Sequence, residues 1–117
     1  EISLHLTQRS CDLFLGVPFN LAQYSLLAHI VAHQLDCKAK EFVWHGVDTH
    51  IYENHVEQVK EQLSKPVFDA PKLKIIRKPP DIFSYRYNDF FVIDYEHGRA
   101  LKGDVSPQGQ PGQGVSI

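Results

Sequence analysis

A chain of 117 residues with 43% apolar and 22% charged side chains has the makings of one small globular domain. Its formal charge of −2 excludes general electrostatic binding to nucleic acid, so any anion site has to be local. Cys11 and Cys37 give no disulfide framework, no apolar run approaches membrane-spanning length, and the first residues do not read as a signal peptide; a reducing, cytoplasmic setting with no membrane partner is expected.

Ile2, Leu4 and Leu6 alternate with Ser3, His5 and Thr7, which predicts a strand over 1–7 that is already under way, as in a piece of a longer protein. The stretch 8–20 is dense in polar groups and carries turn signals at Gly16 and Pro18. Tyr24, Leu27, Ile30, Val31 and Leu35 recur at helical spacing and predict a helix over 20–36, with Asn20 as its N-cap. A polar loop over 38–40 leads to a strand over 41–45 broken at Gly46. A loop over 47–50 follows, then a second helix over 53–64 stopped by Pro66. Segments 72–76 and 90–93 read as strands. The Gly, Pro and Gln of 104–117 cannot build a core, so this tail is expected to be mobile and 1–103 to form the folded unit. No internal repeat is present. Strands and helices mix without strict βαβ alternation, which favours an α+β architecture.

Several side chains carry candidate chemistry. Arg9 and Ser10 together offer a guanidinium fork and a hydroxyl suited to phosphate; the plainer reading is a surface arginine beside a turn serine. Asn20 presents an acceptor and two donors in one plane, matching the edge of a pyrimidine, unless it serves only as a helix cap. His50 and Tyr52, two apart, face the same way on an extended backbone and suit a sugar hydroxyl. His29 and His33 stand at i, i+4, with His45, His50 and His55 as further candidates, which keeps a histidine-based metal-binding module open as a reading of a different class.

Taken together, three segments resemble the thymidylate synthase family. Residues 8–20, Gln8-Arg9-Ser10-Cys11-Asp12-Leu13-Phe14-Leu15-Gly16-Val17-Pro18-Phe19-Asn20, are similar to its long Gln-Arg-Ser motif. Residues 42–55, which contain Gly46, Asp48, His50, Tyr52, Asn54 and His55, are similar to its Gly-Asp-x-His-x-Tyr-x-Asn-His segment. Gln62-Leu63, Pro71-Lys72-Leu73, Asp89-Phe90 and Leu101-Lys102-Gly103 follow in the family's order. The resemblance implies a thymidylate-synthase-like α+β fold, C-terminal part only. It also implies transfer of a one-carbon unit from 5,10-methylenetetrahydrofolate to C5 of deoxyuridylate (dUMP), after a cysteine thiolate adds to C6.

The family's roles fall on particular residues here. The resemblance implies that Arg9 and Ser10 bind the phosphate, and that Gln8 orders that arginine and the nucleophile. Asn20 would read the uracil edge, and His50 and Tyr52 would hold the 3′-hydroxyl. Asp12, Leu15, Gly16 and Phe19 would line the folate site, with Asp12 next to the nucleotide as well. No metal is implied, and the family is homodimeric. The nucleophile is expected upstream, in a Pro-Cys-His segment, so this chain alone is expected to be inactive. Thr7 stands where the family has tyrosine, and Val47 replaces a glycine and is expected to alter the loop beside the base. A pyrimidine-nucleotide hydroxymethylase of the same fold is the nearest alternative, and a non-catalytic nucleotide-binding remnant a further one.

Overall fold

The computed structural model describes residues 1–105 and the backbone of 114–116. Strand β1 (Ile2–Asp12), helix α1 (Gly16–Gln34) and strand β2 (Ala39–Tyr52) form a βαβ unit in which the two strands run parallel. The register sets Leu4 beside Phe42, Leu6 beside Trp44, Gln8 beside Gly46 and Asp12 beside His50. Strand alternation puts the first three of these pairs on one face, against which α1 packs. Val17, Ala28 and Ala32 are the buried apolar residues of the helix, two of them small enough to bring it close to the sheet. The opposite face carries Ser3, His5, Thr7, Arg9, Val43, His45 and Val47, all exposed.

Both long strands exceed their sequence-based bounds. The alternation that predicts the strand ends at Thr7, yet the backbone groups of the polar run 8–12 pair with β2 out to Asp12. The strand expected to break at Gly46 instead continues to Tyr52, and 47–50 are strand rather than loop. Helix α1 begins four residues before Asn20. Pro18 falls in its first turn, where a proline's missing N–H costs nothing because that donor has no intrahelical partner. Asn20 is therefore not the N-cap. The N-cap is Leu15, with no side-chain cap; Asp12 instead closes the turn ahead of the helix, its Oδ1 accepting from the Phe14 and Leu15 amides at 3.3 and 3.4 Å.

A 3₁₀ turn (Glu53–His55) leads into helix α2 (Val56–Leu63). Strands β3 (Lys72–Ile75) and β4 (Phe90–Ile93) form a separate antiparallel pair, Leu73 opposite Val92. Two short 3₁₀ turns connect them, closed by a bidentate ion pair: Arg77 Nε and Nη2 donate to Asp89 at 2.9 and 2.7 Å. That guanidinium, followed by the Arg86 amide, holds the Asp89 carboxyl below the usual carboxylate range. Of the tail expected to be mobile, 106–113 and 117 lie outside the described residues. Gly114–Ser116 (β5) pairs antiparallel with His50–Tyr52 of β2. Among the described residues no helix is long and apolar enough to cross a membrane.

Candidate functional site

The C-terminal ends of the parallel strands β1 and β2 and the start of α1 converge, bringing most of the residues singled out by sequence into two adjoining groups. In open α/β arrangements this is where ligands bind.

The first group is a chain of hydrogen bonds. Trp44 Nε1–H donates to Gln8 Oε1 at 3.0 Å, and Gln8 Nε2–H donates to Asn20 Oδ1 at 2.9 Å and to the Ser10 carbonyl at 2.9 Å. An indole N–H only donates, so it draws the oxygen of the Gln8 amide toward itself. The Gln8 NH₂ then faces Asn20 and must meet that residue's oxygen. Asn20 is left with its NH₂ and one oxygen lone pair to offer a ligand. Both Gln8 donors are consumed in the process, and no bond reaches the Arg9 guanidinium. The residue that Gln8 holds directly is Asn20.

Gly46 makes the chain possible. It stands beside Gln8 in the sheet, and a Cβ there would lie 2.5 Å from Trp44 Cη2 and 2.6 Å from Thr49 Oγ1. The absent side chain is the space the indole occupies. Val47, one residue on, is 63% exposed on the other face, so it disturbs no base-side loop.

The second group is a cavity of about 450 Å³, lined by Asp12, Leu15, Gly16 and Phe19 on one side and by Tyr52, His55, Gly103 and Val105 on the other. All four residues assigned by resemblance to the folate face this one space. Asp12 Oδ2 takes no hydrogen bond among the described residues, because the turn ahead of α1 uses only Oδ1. Tyr52 and His50 lie edge to face, ring centroids 5.1 Å apart. His50 Nδ1–H donates to the Asp48 carbonyl at 3.2 Å, which makes Nε2 the acceptor. Arg9 and Ser10 are exposed, and Arg9 makes no side-chain hydrogen bond or ion pair among the described residues.

Neither cysteine belongs to these groups as a nucleophile. Cys11 is fully buried and its thiol donates to the Gln8 carbonyl at 3.3 Å. Cys37 follows the far end of α1, roughly 20 Å along the helix from Asn20 at 1.5 Å per residue. Of the histidine pair on α1, His29 is exposed and His33 is otherwise engaged. His33 Nδ1 meets the Tyr85 hydroxyl at 2.8 Å, and that hydroxyl donates to Gln34 Oε1 at 3.0 Å. Among the described residues no three His, Cys, Asp or Glu side chains cluster as metal ligands.

Sequence reasoning gave no role in either group to Trp44, Gly46 and Gly103, and considered His55 only as a metal ligand. A signal for the first two was present: a tryptophan in a strand needs an acceptor for its N–H once covered, and a glycine two residues on leaves room for the ring.

The comparisons with known proteins agree with this geometry. The family model described as thymidylate synthase matches residues 1–107. The chain is 56% identical over 106 residues to a thymidylate synthase of Francisella philomiragia, and 53% identical over the same length to thymidylate synthases of Francisella tularensis subsp. holarctica. Each alignment covers 91% of this chain and 39% of the relative, so the chain spans about two fifths of the length of the curated relatives it matches. On a match that runs from the first residue through both site groups, the chain belongs to the thymidylate synthase family.

Proposed function

We propose that the protein containing this chain converts dUMP to dTMP with methylenetetrahydrofolate as co-substrate, and that this chain holds the nucleotide and one wall of the folate site. The observation that carries the reading is the fixed Asn20 amide. Its oxygen is held by Gln8, and its NH₂, which has no partner among the described residues, is left to donate to uracil O4 while the second lone pair accepts from N3–H. Cytosine reverses both groups. Arg9 and Ser10 hold the phosphate by charge-assisted bonds, and His50 Nε2 with Tyr52 holds the 3′-hydroxyl.

The residues around the second cavity fit a folate. Leu15 and Phe19 offer apolar surface, Gly16 keeps the wall low, and Asp12 Oδ2 provides an acceptor for a ring N–H. When bound, the co-substrate supplies the one-carbon unit and the hydride. Addition at C6 requires a thiolate; Cys11 is buried and Cys37 lies at the far end of α1, which supports a nucleophile supplied from outside this chain. The exposed face of β1 and β2, with Val43 and Val47, supports a homodimer joined through that face. A cytoplasmic setting fits the reduced Cys11 and Cys37.

The deciding experiment follows tritium release from C5-labelled dUMP by the whole protein and identifies the product by mass. Folate-dependent release with a methylated product is expected. Release with a hydroxymethyl product transfers the assignment to the hydroxymethylase, and no folate-dependent release refutes the reading.

A further inference from the structure

The segment that closes the cavity on its second side is held in an unusual way. Asp104 offers its carbonyl to two donors, His55 Nε2–H at 2.7 Å and Asn54 Nδ2–H at 3.2 Å. Gln58 Nε2–H donates to the Lys102 carbonyl at 3.2 Å. Three side chains from one turn of 3₁₀ helix and the start of α2 therefore clamp the backbone of 102–104, and no side chain of that segment takes part.

The same segment is pressed onto a ring. His55 is fully buried, its imidazole 5.1 Å from the ring of Phe14 and 5.9 Å from that of Tyr52. A Cβ on Gly103 would lie 2.8 Å from Phe14 Cε1 and 3.0 Å from His55 Cδ2 and Nε2. Only a glycine lets the backbone settle onto these two rings. Among the described residues the buried His55 Nδ1 has no hydrogen-bond partner. Burying an imidazole with one nitrogen unpaired is costly, and the single bond it keeps is the shortest in the clamp.

Val105, the next residue, lines the cavity opposite Leu15 and Phe19. We infer that His55 is a positioning residue: through the Asp104 carbonyl it fixes how far the chain at Gly103–Val105 reaches into the folate cavity, and through its contact with Tyr52 it ties that wall to the sugar-holding end of β2. The folate part of this inference rests on the function proposed above, whereas the clamp does not.

The test uses the whole protein with His55→Leu, which removes the donor, and His55→Gln, which restores an N–H at similar reach. Trypsin cleavage at Lys102–Gly103 reports the clamp directly, because Gln58 holds the carbonyl that the protease attacks. Cleavage about tenfold faster in the Leu variant is expected, with the Gln variant close to wild type, as follows from losing one strong bond. The folate KM should rise about tenfold in the Leu variant, with dUMP affinity unchanged and the Gln variant again close to wild type. Unchanged cleavage overturns the clamp. Faster cleavage with an unchanged folate KM, or equal weakening of both ligands, overturns the positioning role. If the wild-type protein shows no folate dependence, the proposed function falls, while the trypsin comparison still decides the clamp.

Discussion

Replacing Trp44 by phenylalanine removes one N–H and nothing else polar from the region, which makes it the sharpest probe of how Asn20 is aimed. In the wild type, turning the Gln8 amide over would set its NH₂ against the indole N–H and its oxygen against both the Ser10 carbonyl and Asn20 Oδ1. Leaving one such group unpaired costs about 1–3 kcal/mol. In Trp44→Phe the first of these penalties disappears while the Ser10 contact still favours the native orientation. The preference of Asn20 for uracil over cytosine should therefore fall without vanishing, by about fivefold to about 150-fold if the whole penalty was expressed. The indole also fills the space over Gly46, so the variant loses packing as well. Expressing the result as a ratio of dissociation constants for dUMP and dCMP on the same variant, by calorimetry on the whole protein, cancels that loss. A ratio equal to wild type refutes the relay, and equal weakening of both nucleotides shows Trp44 to be a packing residue only.

Asn20→Asp should move the preference toward dCMP, because a carboxylate accepts from the 4-amino group; kcat/KM for both nucleotides checks this. Arg9→Ala should reduce dUMP affinity by about tenfold to a hundredfold while leaving deoxyuridine binding nearly intact, with Arg9→Lys only partly restoring it; calorimetry with both ligands measures the difference. Gly46→Ala should destabilise the fold by about 1–3 kcal/mol in denaturant unfolding, since neither the indole nor Thr49 can yield to a Cβ without moving strand β2. Asp89 has a folded value below its unfolded value of about 3.9, so its contribution to stability is fully present above that pH and is lost as pH falls through the folded value. Asp89→Asn should lower Tm at pH 7, and the gap to wild type should close at strongly acid pH.

Element types were legible in the sequence, whereas their ends were not. The first strand was cut short because the apolar–polar alternation stops at Thr7, and a parallel neighbour 38 residues away supplies the pairing that keeps Gln8 and Ser10 extended. Gly46 suggested a break for the same reason: nothing local tells that its bare backbone is space for an indole two residues earlier. Asn20 was the instructive error. As an asparagine at the head of a helical pattern it suits an N-cap, yet the helix starts at Gly16 behind an uncapped Leu15, and Asp12 holds the turn before it. Freed from the backbone, the amide became available to Gln8.

That displacement explains why the long motif packs so many polar residues into one short stretch. Asp12 closes the turn that leads into α1, and the helix start at Gly16 puts Asn20 at the beginning of the second turn, in reach of Gln8. Gln8 in turn has its orientation dictated from β2 by Trp44, and the ring reaches across only because position 46 is empty. The direction of one amide is thus set by three elements in a fixed register. A slip of β1 against β2 by one residue would turn Gln8 to the face of Arg9 and dissolve the relay. Base reading therefore depends on the sheet register as directly as on Asn20 itself, and the apolar pairs Leu4–Phe42 and Leu6–Trp44, which carry no chemistry, hold that register in place.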